Sequence, residues 1–400
     1  MRRILRSPAV PVFLCGLGLR LGYLLVFAPG SPVGDEGSYS GIAQSLLSAQ
    51  GYSLGGRPTL YRPPSYPLLL AAVYAVAGVS PLAVGVVQAF LGAFCGVVVY
   101  LLGLKFLDQR WAMAAAFMTA LDPFQIFYTN KQVTEVFFIL LALVSLWLTQ
   151  ASLEERRRFP VKAIVAGCLW ALAALCRPSV FMFVWVVPGV YFFIVGGRRA
   201  AVLSAGLLAG FLALTTPWAW RNKMVTGQWV FTTAHGGWTF WEGLNPNFQT
   251  KEDIDRWQQA MAREREAIEA AGIGVMEMDR YFWKKSKDHV RRDPVAFAKL
   301  SLRKLIKFWR FYPYYPYSRS QRFLSVVYFA PLALLAAVSL RWVAADVQWL
   351  LLNGFLIYFT LIHIMFWVQI RYRVPLHPIL AIYAAAAFSR LSAYWSKRAG

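Results

Sequence analysis

The sequence predicts an all-α polytopic membrane protein, and three observations carry that expectation. Of 400 residues, 58% are hydrophobic and only 15% charged, with a mean hydropathy of +0.47. Soluble domains run nearer about 45–50% apolar and about 25% charged. The apolar residues gather into runs of the length that a helix rising about 1.5 Å per residue needs to cross a bilayer. Finally, the basic residues sit between those runs. A net charge of +22 from 41 Lys and Arg against 19 Asp and Glu would suggest nucleic acid in a soluble chain. Between apolar runs it reads instead as membrane orientation and attraction to lipid headgroups, with no nucleic acid as partner.

The runs fall at about 9–28, 81–104, 111–129, 133–150, 162–176, 179–195, 200–218, 322–340, 346–367 and 374–391, which gives about ten spans. Met1-Arg2-Arg3 resembles the start of a signal peptide, but no small-residue cleavage site follows, and Arg20 interrupts the run. An uncleaved first span is expected. The run 66–79 is too short to span. Pro63, Pro64 and Pro67 open it as they would a helix, and it is expected to lie in the interface. Asp122-Pro123 interrupts the third run, and Gly206-x-x-x-Gly210 in the seventh suits close helix packing.

Positive charge tests this layout. With the N-terminus inside, the short cytoplasmic connections carry Lys105 and Arg110, Arg156-Arg157-Arg158 and Lys162, Arg198-Arg199, Arg341, and Lys397-Arg398. If 66–79 crossed, every later cluster would move outside. Two long segments are then extracytoplasmic, 29–80 and about 219–321. Long loops translocate largely regardless of charge, so the basic second segment does not break the rule. Its stretch Arg280–Arg310 holds 11 basic and two acidic residues. Phe297, Leu300, Leu305, Phe308 and Trp309 form an approximate helical stripe there. Aromatic residues at 311–317 follow, as at a membrane surface. Two readings stand: a segment lying on headgroups or lipid phosphate, or a solvated face that anchors the loop. The expected organisation is 1–218 as an N-terminal transmembrane module with its first outer loop at 29–80, 219–321 as a mostly helical outer segment, and 322–400 as C-terminal spans.

The acids are the sharper signal. Eleven of 19 lie in the second outer segment, and Asp108, Glu154, Glu155 and Asp346 border the cytoplasm. Asp35, Glu36, Asp122 and Glu135 remain, within or beside spans, where ionisable groups are costly. Asp35-Glu36 precedes a short helix at about 38–49. Either Asp35 or Ser38 caps that helix, or Asp35 is a general base at the outer face. Glu135 opens the fourth span at the same level, where Lys131 is its available partner. Asp122 is expected to satisfy backbone loosened by Pro123. Arg57, Arg62, Arg177, Arg221, Arg371 and Arg373 share that outer level. Guanidinium forks match phosphate oxygens, so carboxylates beside arginines suit group transfer from a lipid-linked phosphate. Snorkelling arginines are the plainer alternative.

These residues resemble the GT-C superfamily of polyprenyl-phosphate-dependent membrane glycosyltransferases, notably protein O-mannosyltransferases and lipid A aminoarabinose transferases. The resemblance rests on Asp35-Glu36 with Tyr39, Tyr61-Arg62-Pro63-Pro64-x-Tyr66-Pro67, Thr134-Glu135 and Cys176-Arg177-Pro178. It continues through Pro217-Trp218-x-x-Arg221-Asn222, Gly227, Gly236-Gly237-x-x-x-x-Glu242-Gly243-x-Asn245-Pro246 and Arg371-Tyr372-Arg373-x-Pro375, over about 10–390. It implies a GT-C-like bundle with interfacial helices in the first outer loop. It also implies an inverting glycosyltransferase in which Asp35 is the base, Glu36 and Glu135 support catalysis, and Arg62 meets donor phosphate. Tyr39, Arg177, Arg371 and Tyr372 are the further expected substrate contacts. The implied partners are a polyprenyl-phosphate sugar donor, membrane lipids, and a lipid, polysaccharide or protein acceptor. The implied setting is a bacterial inner membrane with the site facing the periplasm. Some GT-C branches bind a divalent metal through loop acids and mannosyltransferases do not, so metal dependence is left open. His235, His363 and His377 are candidate zinc ligands only in the sense that any histidine is. Gly37 and Ser38 replace a basic residue that some relatives carry, and the extra C-terminal region of larger members is not expected. The runner-up function is a transporter or flippase of a lipid-linked or anionic substrate. It would favour deeper acids and an internal repeat.

Overall fold

The computed structural model describes residues 8–155, 159–246, 251–312 and 318–399. The basic clusters at 1–3 and 156–158 and the aromatic residues 313–317 lie outside the described residues. Among those described, eight helices are long and apolar enough to cross a membrane. About ten spans were expected, and the helices in the third and fifth expected spans are only 12 and 14 residues long. The protein is an integral, multi-pass membrane protein.

Helix α1 (Ala9–Val26) packs along α4 (Pro81–Gly103) through a glycine seam. A Cβ on Gly92 would lie 2.4 Å from Arg20 Nε, and one on Gly96 would lie 2.7 Å from Val12. Gly92 makes room for Arg20, which is fully buried and donates to the carbonyls of Gly16 at 3.0 Å and Ala120 at 3.1 Å. Between α1 and α4 lie α2 (Asp35–Leu47), a two-residue hairpin of β1 (Ser53–Leu54) and β2 (Arg57–Pro58), and α3 (Ser65–Ala77). Helix α3 has 13 residues, about 20 Å at 1.5 Å each, too short for a bilayer. It buries Tyr66, Leu70 and Tyr74 at a spacing of four. Its first residue, Ser65, is anchored by bonds to the carbonyls of Leu172 and Leu175, each 2.9 Å.

The third span is shorter than the run 111–129 implied. Helix α5 (Gln109–Ala120) stops, and Asp122 caps the five-residue helix Pro123–Phe127 through Phe124 N at 2.9 Å. Asp122 also accepts from Gln125 at 3.0 Å and meets His377 Nδ1 at 2.9 Å. Pro123 removes a backbone donor, and the aspartate supplies the capping oxygen that lets the chain restart.

Helix α6 (Glu135–Ser152) is followed by α7 (Val161–Ala174), α8 (Phe183–Val195) and α9 (Gly197–Thr226). The Gly206–Gly210 pair packs as expected. A Cβ on Gly210 would sit 2.1 Å from the Ile164 carbonyl oxygen, and one on Gly167 would sit 1.9 Å from that of Leu207, so α7 and α9 touch backbone to backbone. Helix α9 ends at Gly227, whose φ of 73° closes the last turn.

The segment after α9 is helical, as expected: α10 (Gly236–Gly243), α11 (Lys251–Ala270), α12 (Val275–Arg292) and α13 (Pro294–Trp309). Gly237 lets α10 lie against α12, since a Cβ there would meet the Asp279 carbonyl oxygen at 2.2 Å. The chain returns through α14 (Arg319–Val343) and α15 (Leu350–Met365). A 3₁₀ stretch, Ile370–Leu376, then leads into α16 (His377–Ala399).

Candidate active site

The first loop, the start of α6, the turn after α7 and the 3₁₀ stretch before α16 meet around a cavity of about 330 Å³. Each contributes for a local reason. Gly34 adopts a positive φ of 58° and turns the chain so that α2 begins at Asp35. The helix thus starts three residues before the expected 38. Neither capping alternative for Asp35 or Ser38 is realised, because the N-cap has no side-chain bond. The Ser38 hydroxyl instead donates to the Asp35 carbonyl at 2.8 Å. Pro178 stops the chain after Arg177, and Pro375 closes the stretch that presents Arg371.

Asp35 Oδ1 pairs with Arg62, and Asp35 Oδ2 with Arg371 Nη1 at 3.3 Å. Arg62 Nε donates to Ser38 Oγ at 3.0 Å, and its guanidinium lies over the rings of Tyr61 at 4.4 Å and Tyr39 at 4.8 Å. Glu135 Oε1 accepts from Arg177 Nη2 at 2.6 Å and Arg371 Nε at 2.8 Å. Arg177 Nε donates to Thr134 Oγ1 at 2.8 Å. Arg371 thus bridges two carboxylates from separate elements. Tyr372 lies beneath both cations, 5.6 Å from the Arg177 guanidinium and 5.5 Å from that of Arg371. Among the described residues, Glu135 Oε2 and Arg177 Nη1 are buried without a hydrogen-bond partner. One Arg177 donor is therefore left unpaired behind the cavity wall.

Burial pushes the Asp35 carboxyl up, but the Arg62 and Arg371 charges outweigh it and hold the group below its ordinary range. Burial, then the Arg62 and Arg265 charges, push the His235 imidazole down to about 3. It lines the cavity as a neutral ring, edge-to-face with Tyr61 at 4.7 Å.

Of the residues expected at the site, Asp35, Tyr39, Arg62, Arg177, Arg371 and Tyr372 line the cavity, and Glu135 stands behind two of the arginines. Glu36 turns away: it accepts from Gln132 N at 3.0 Å and lies 4.0 Å from Lys131. Lys131 therefore faces Glu36, while Glu135 is taken by arginines. Arg221 ties the loop carbonyls of Tyr52 at 2.8 Å and Thr59 at 2.9 Å. Arg373 is buried against the carbonyls of Phe308 and Arg310. The hydroxyl and aromatic wall, Thr232, Thr233, Thr239, Phe366 and Trp367, went unnoticed in the sequence, since such residues are common and only the fold gathers them.

The acids that a divalent ion would need do not fit one here. Asp35 and Glu135 are both turned to arginines, and no group of three or more His, Cys, Asp or Glu is placed to hold a metal among the described residues. His363 Nδ1 contacts the Phe359 carbonyl at 2.7 Å, and His377 is held by Asp122.

Residues 61–220 match the family model for dolichyl-phosphate-mannose-protein mannosyltransferases. The fold is similar to that of the Archaeoglobus fulgidus oligosaccharyltransferase in the apo form, with a TM-score of 0.59 and 14% identity over 98% of this chain and 51% of that one. The Archaeoglobus fulgidus oligosaccharyltransferase AglB in complex with an inhibitory peptide and a dolichol-phosphate gives a TM-score of 0.56 and 15% identity over 98% and 51%. ArnT from Cupriavidus metallidurans bound to undecaprenyl phosphate gives 0.51 and 13% over 97% and 60%. The chain spans about half the length of the oligosaccharyltransferases it matches. No curated protein matches it in sequence. The fold is similar to that of these oligosaccharyltransferases and of ArnT, as the sequence resemblance implied.

Proposed function

We propose that the protein is an inverting glycosyltransferase that moves a sugar from a polyprenyl-phosphate donor to an acceptor hydroxyl or amine at the outer face of the membrane. The observation that carries this reading is the single cavity wall on which a half-exposed carboxylate, Asp35, stands beside Arg62, Arg371 and Arg177. With Asp35 and Glu135 ionised, three guanidiniums against two carboxylates leave one positive charge, which a phosphodiester donor neutralises.

In the proposed reaction the acceptor oxygen or nitrogen attacks the sugar C1 and gives its proton to Asp35. The bond from C1 to the phosphate oxygen breaks, and its electron pair leaves with polyprenyl phosphate. Arg62, Arg177 and Arg371 stabilise the charge gained by that leaving group. An Asp35 held low by arginines is a weak base. Donor phosphate competes with it for Arg62 and Arg371, and so restores its basicity when substrate is bound. Glu135 positions Arg177 and Arg371, and Tyr372 supports them from below. The basic cytoplasmic clusters support an extracytoplasmic site, in a bacterial plasma membrane as its setting.

The test is Asp35→Ala in purified protein, assayed for sugar transfer and for donor hydrolysis. Loss of both with unchanged thermal unfolding supports the reading. Wild-type turnover in the variant removes Asp35 from the role. Absence of donor turnover in the wild type leaves a transporter or flippase as the better account.

A further inference from the structure

Helix α13 has two apolar faces, and the protein covers only one. Inward, Leu300 and Phe308 are buried, and Phe297 packs edge-to-face with Phe240. Outward, Val295, Leu302 and Ile306 are 60%, 59% and 60% exposed. Their positions, i, i+7 and i+11, fall on one stripe of a 3.6-residue helix. Lys299 and Arg303 lie on the same stripe and are exposed, and neither has an ion-pair partner among the described residues.

We propose that this outward face is a docking surface for anionic phospholipid headgroups, in the leaflet beside the cavity. Three large apolar side chains held out of the protein core, interleaved with cations, make the pattern of a helix lying in the headgroup layer. A soluble face would not retain that stripe. The charge fits one occupant, since Arg280–Arg310 carries 11 basic and two acidic residues and is attracted to an anionic leaflet. Continuity with the membrane fits as well. Helix α13 ends at Trp309, exposed Phe311 and Tyr312 follow, and the membrane-length helix α14 begins at Arg319.

Docking there reaches the cavity. Lys304, on the inward face, donates to the Phe366 carbonyl at 2.8 Å, and Lys307 Nζ lies 5.8 Å over the Trp367 ring. Phe366 and Trp367 both line the cavity. Seating α13 in headgroups therefore fixes one wall of the site. This consequence rests on the glycosyltransferase reading, whereas the lipid contact does not.

The test uses the full chain, with Cys15, Cys95, Cys168 and Cys176 replaced by serine, in vesicles of phosphatidylcholine with or without phosphatidylglycerol. Nitroxides at Leu302→Cys and, as an aqueous control outside the basic stretch, Glu266→Cys are probed with oxygen and with a water-soluble nickel chelate. The label at 302 is expected to favour oxygen several-fold over the control in anionic vesicles. The double variant Lys299→Glu/Arg303→Glu should reduce that ratio toward the control while its thermal unfolding stays unchanged. Equal chelate access at both positions in anionic vesicles overturns the proposal. So does shielding at 302 from both probes, which marks a protein partner. In the wild-type sequence, donor hydrolysis should rise several-fold with phosphatidylglycerol, and the double variant should not respond. A label in lipid with hydrolysis indifferent to composition overturns the coupling alone. A label in lipid with no hydrolysis in any vesicle overturns the enzymatic reading and leaves the docking surface standing.

Discussion

Asp35 and Glu135 each hold an arginine of their own, Arg62 and Arg177, and share a third, Arg371. They differ in access: the Asp35 side chain is 41% exposed and that of Glu135 is 0% exposed. Asp35 starts a short loop helix, where the chain shifts at low cost and the cavity reaches the carboxylate. Glu135 starts a membrane-length helix, where its charge is tolerable only because two guanidiniums and the helix N-terminus answer it. The same pairing chemistry therefore yields a group free to exchange its partner and a group fixed by both partners. Reactivity in this site follows exposure, and rigidity follows burial.

The largest expected effect tests the first half of that contrast. Asp35→Asn removes the proposed base and keeps the shape, so transfer should fall by about 10²–10⁴-fold with little change in thermal unfolding. Glu135→Gln should do the reverse. Breaking a buried ion pair from one side costs about 3–5 kcal/mol, visible as a lower Tm in detergent. Equal destabilisation by both variants would erase the distinction between them.

Arg62→Ala separates donor binding from proton transfer. KM for donor should rise about tenfold, the loss of roughly one charge-assisted hydrogen bond, with a smaller fall in kcat. It should also move the acid limb of the pH profile. Burial raises the Asp35 carboxyl and the arginines lower it. Wild-type kcat/KM, which reports the free enzyme, should thus persist as pH falls through the ordinary carboxylate range, and the variant should lose it at higher pH. A limb that stays in place would mean that Asp35 is not the titrating base. The smallest effect belongs to Thr134→Val, which deletes the 2.8 Å bond to Arg177. About 1 kcal/mol of stability should be lost, read by denaturation, with kcat nearly unchanged.

The membership of the site was largely legible in the sequence, and the contrast in access between its two acids was not, for reasons that can be named. Ion pairs beside spans are rare enough that Asp35, Glu135, Arg62, Arg177 and Arg371 stood out against an apolar background. The short run at 66–79 was legible because its length falls short of a bilayer and a crossing there would move every later basic cluster outside. Partnership was not legible. Lys131 is four residues from Glu135 and pairs with Glu36, because the turn before α6 aims its chain elsewhere. Arg373 shares a motif with Arg371 and points away from the cavity, since a 3₁₀ stretch places residues two apart on different faces. Likewise, the run 111–129 suggested a full span, because hydropathy does not register the break that Asp122 caps.

The bridge from Asp35 to Arg371 joins residues at opposite ends of the chain. During synthesis at about 5–20 residues per second, Asp35 emerges on the order of half a minute before Arg371. Throughout that interval the first loop holds its carboxylate without the guanidinium that couples it to Glu135. Completion of the bridge between Asp35 and Glu135 therefore waits for the 3₁₀ stretch before α16, and a nascent chain that ends short of it carries two carboxylates still uncoupled.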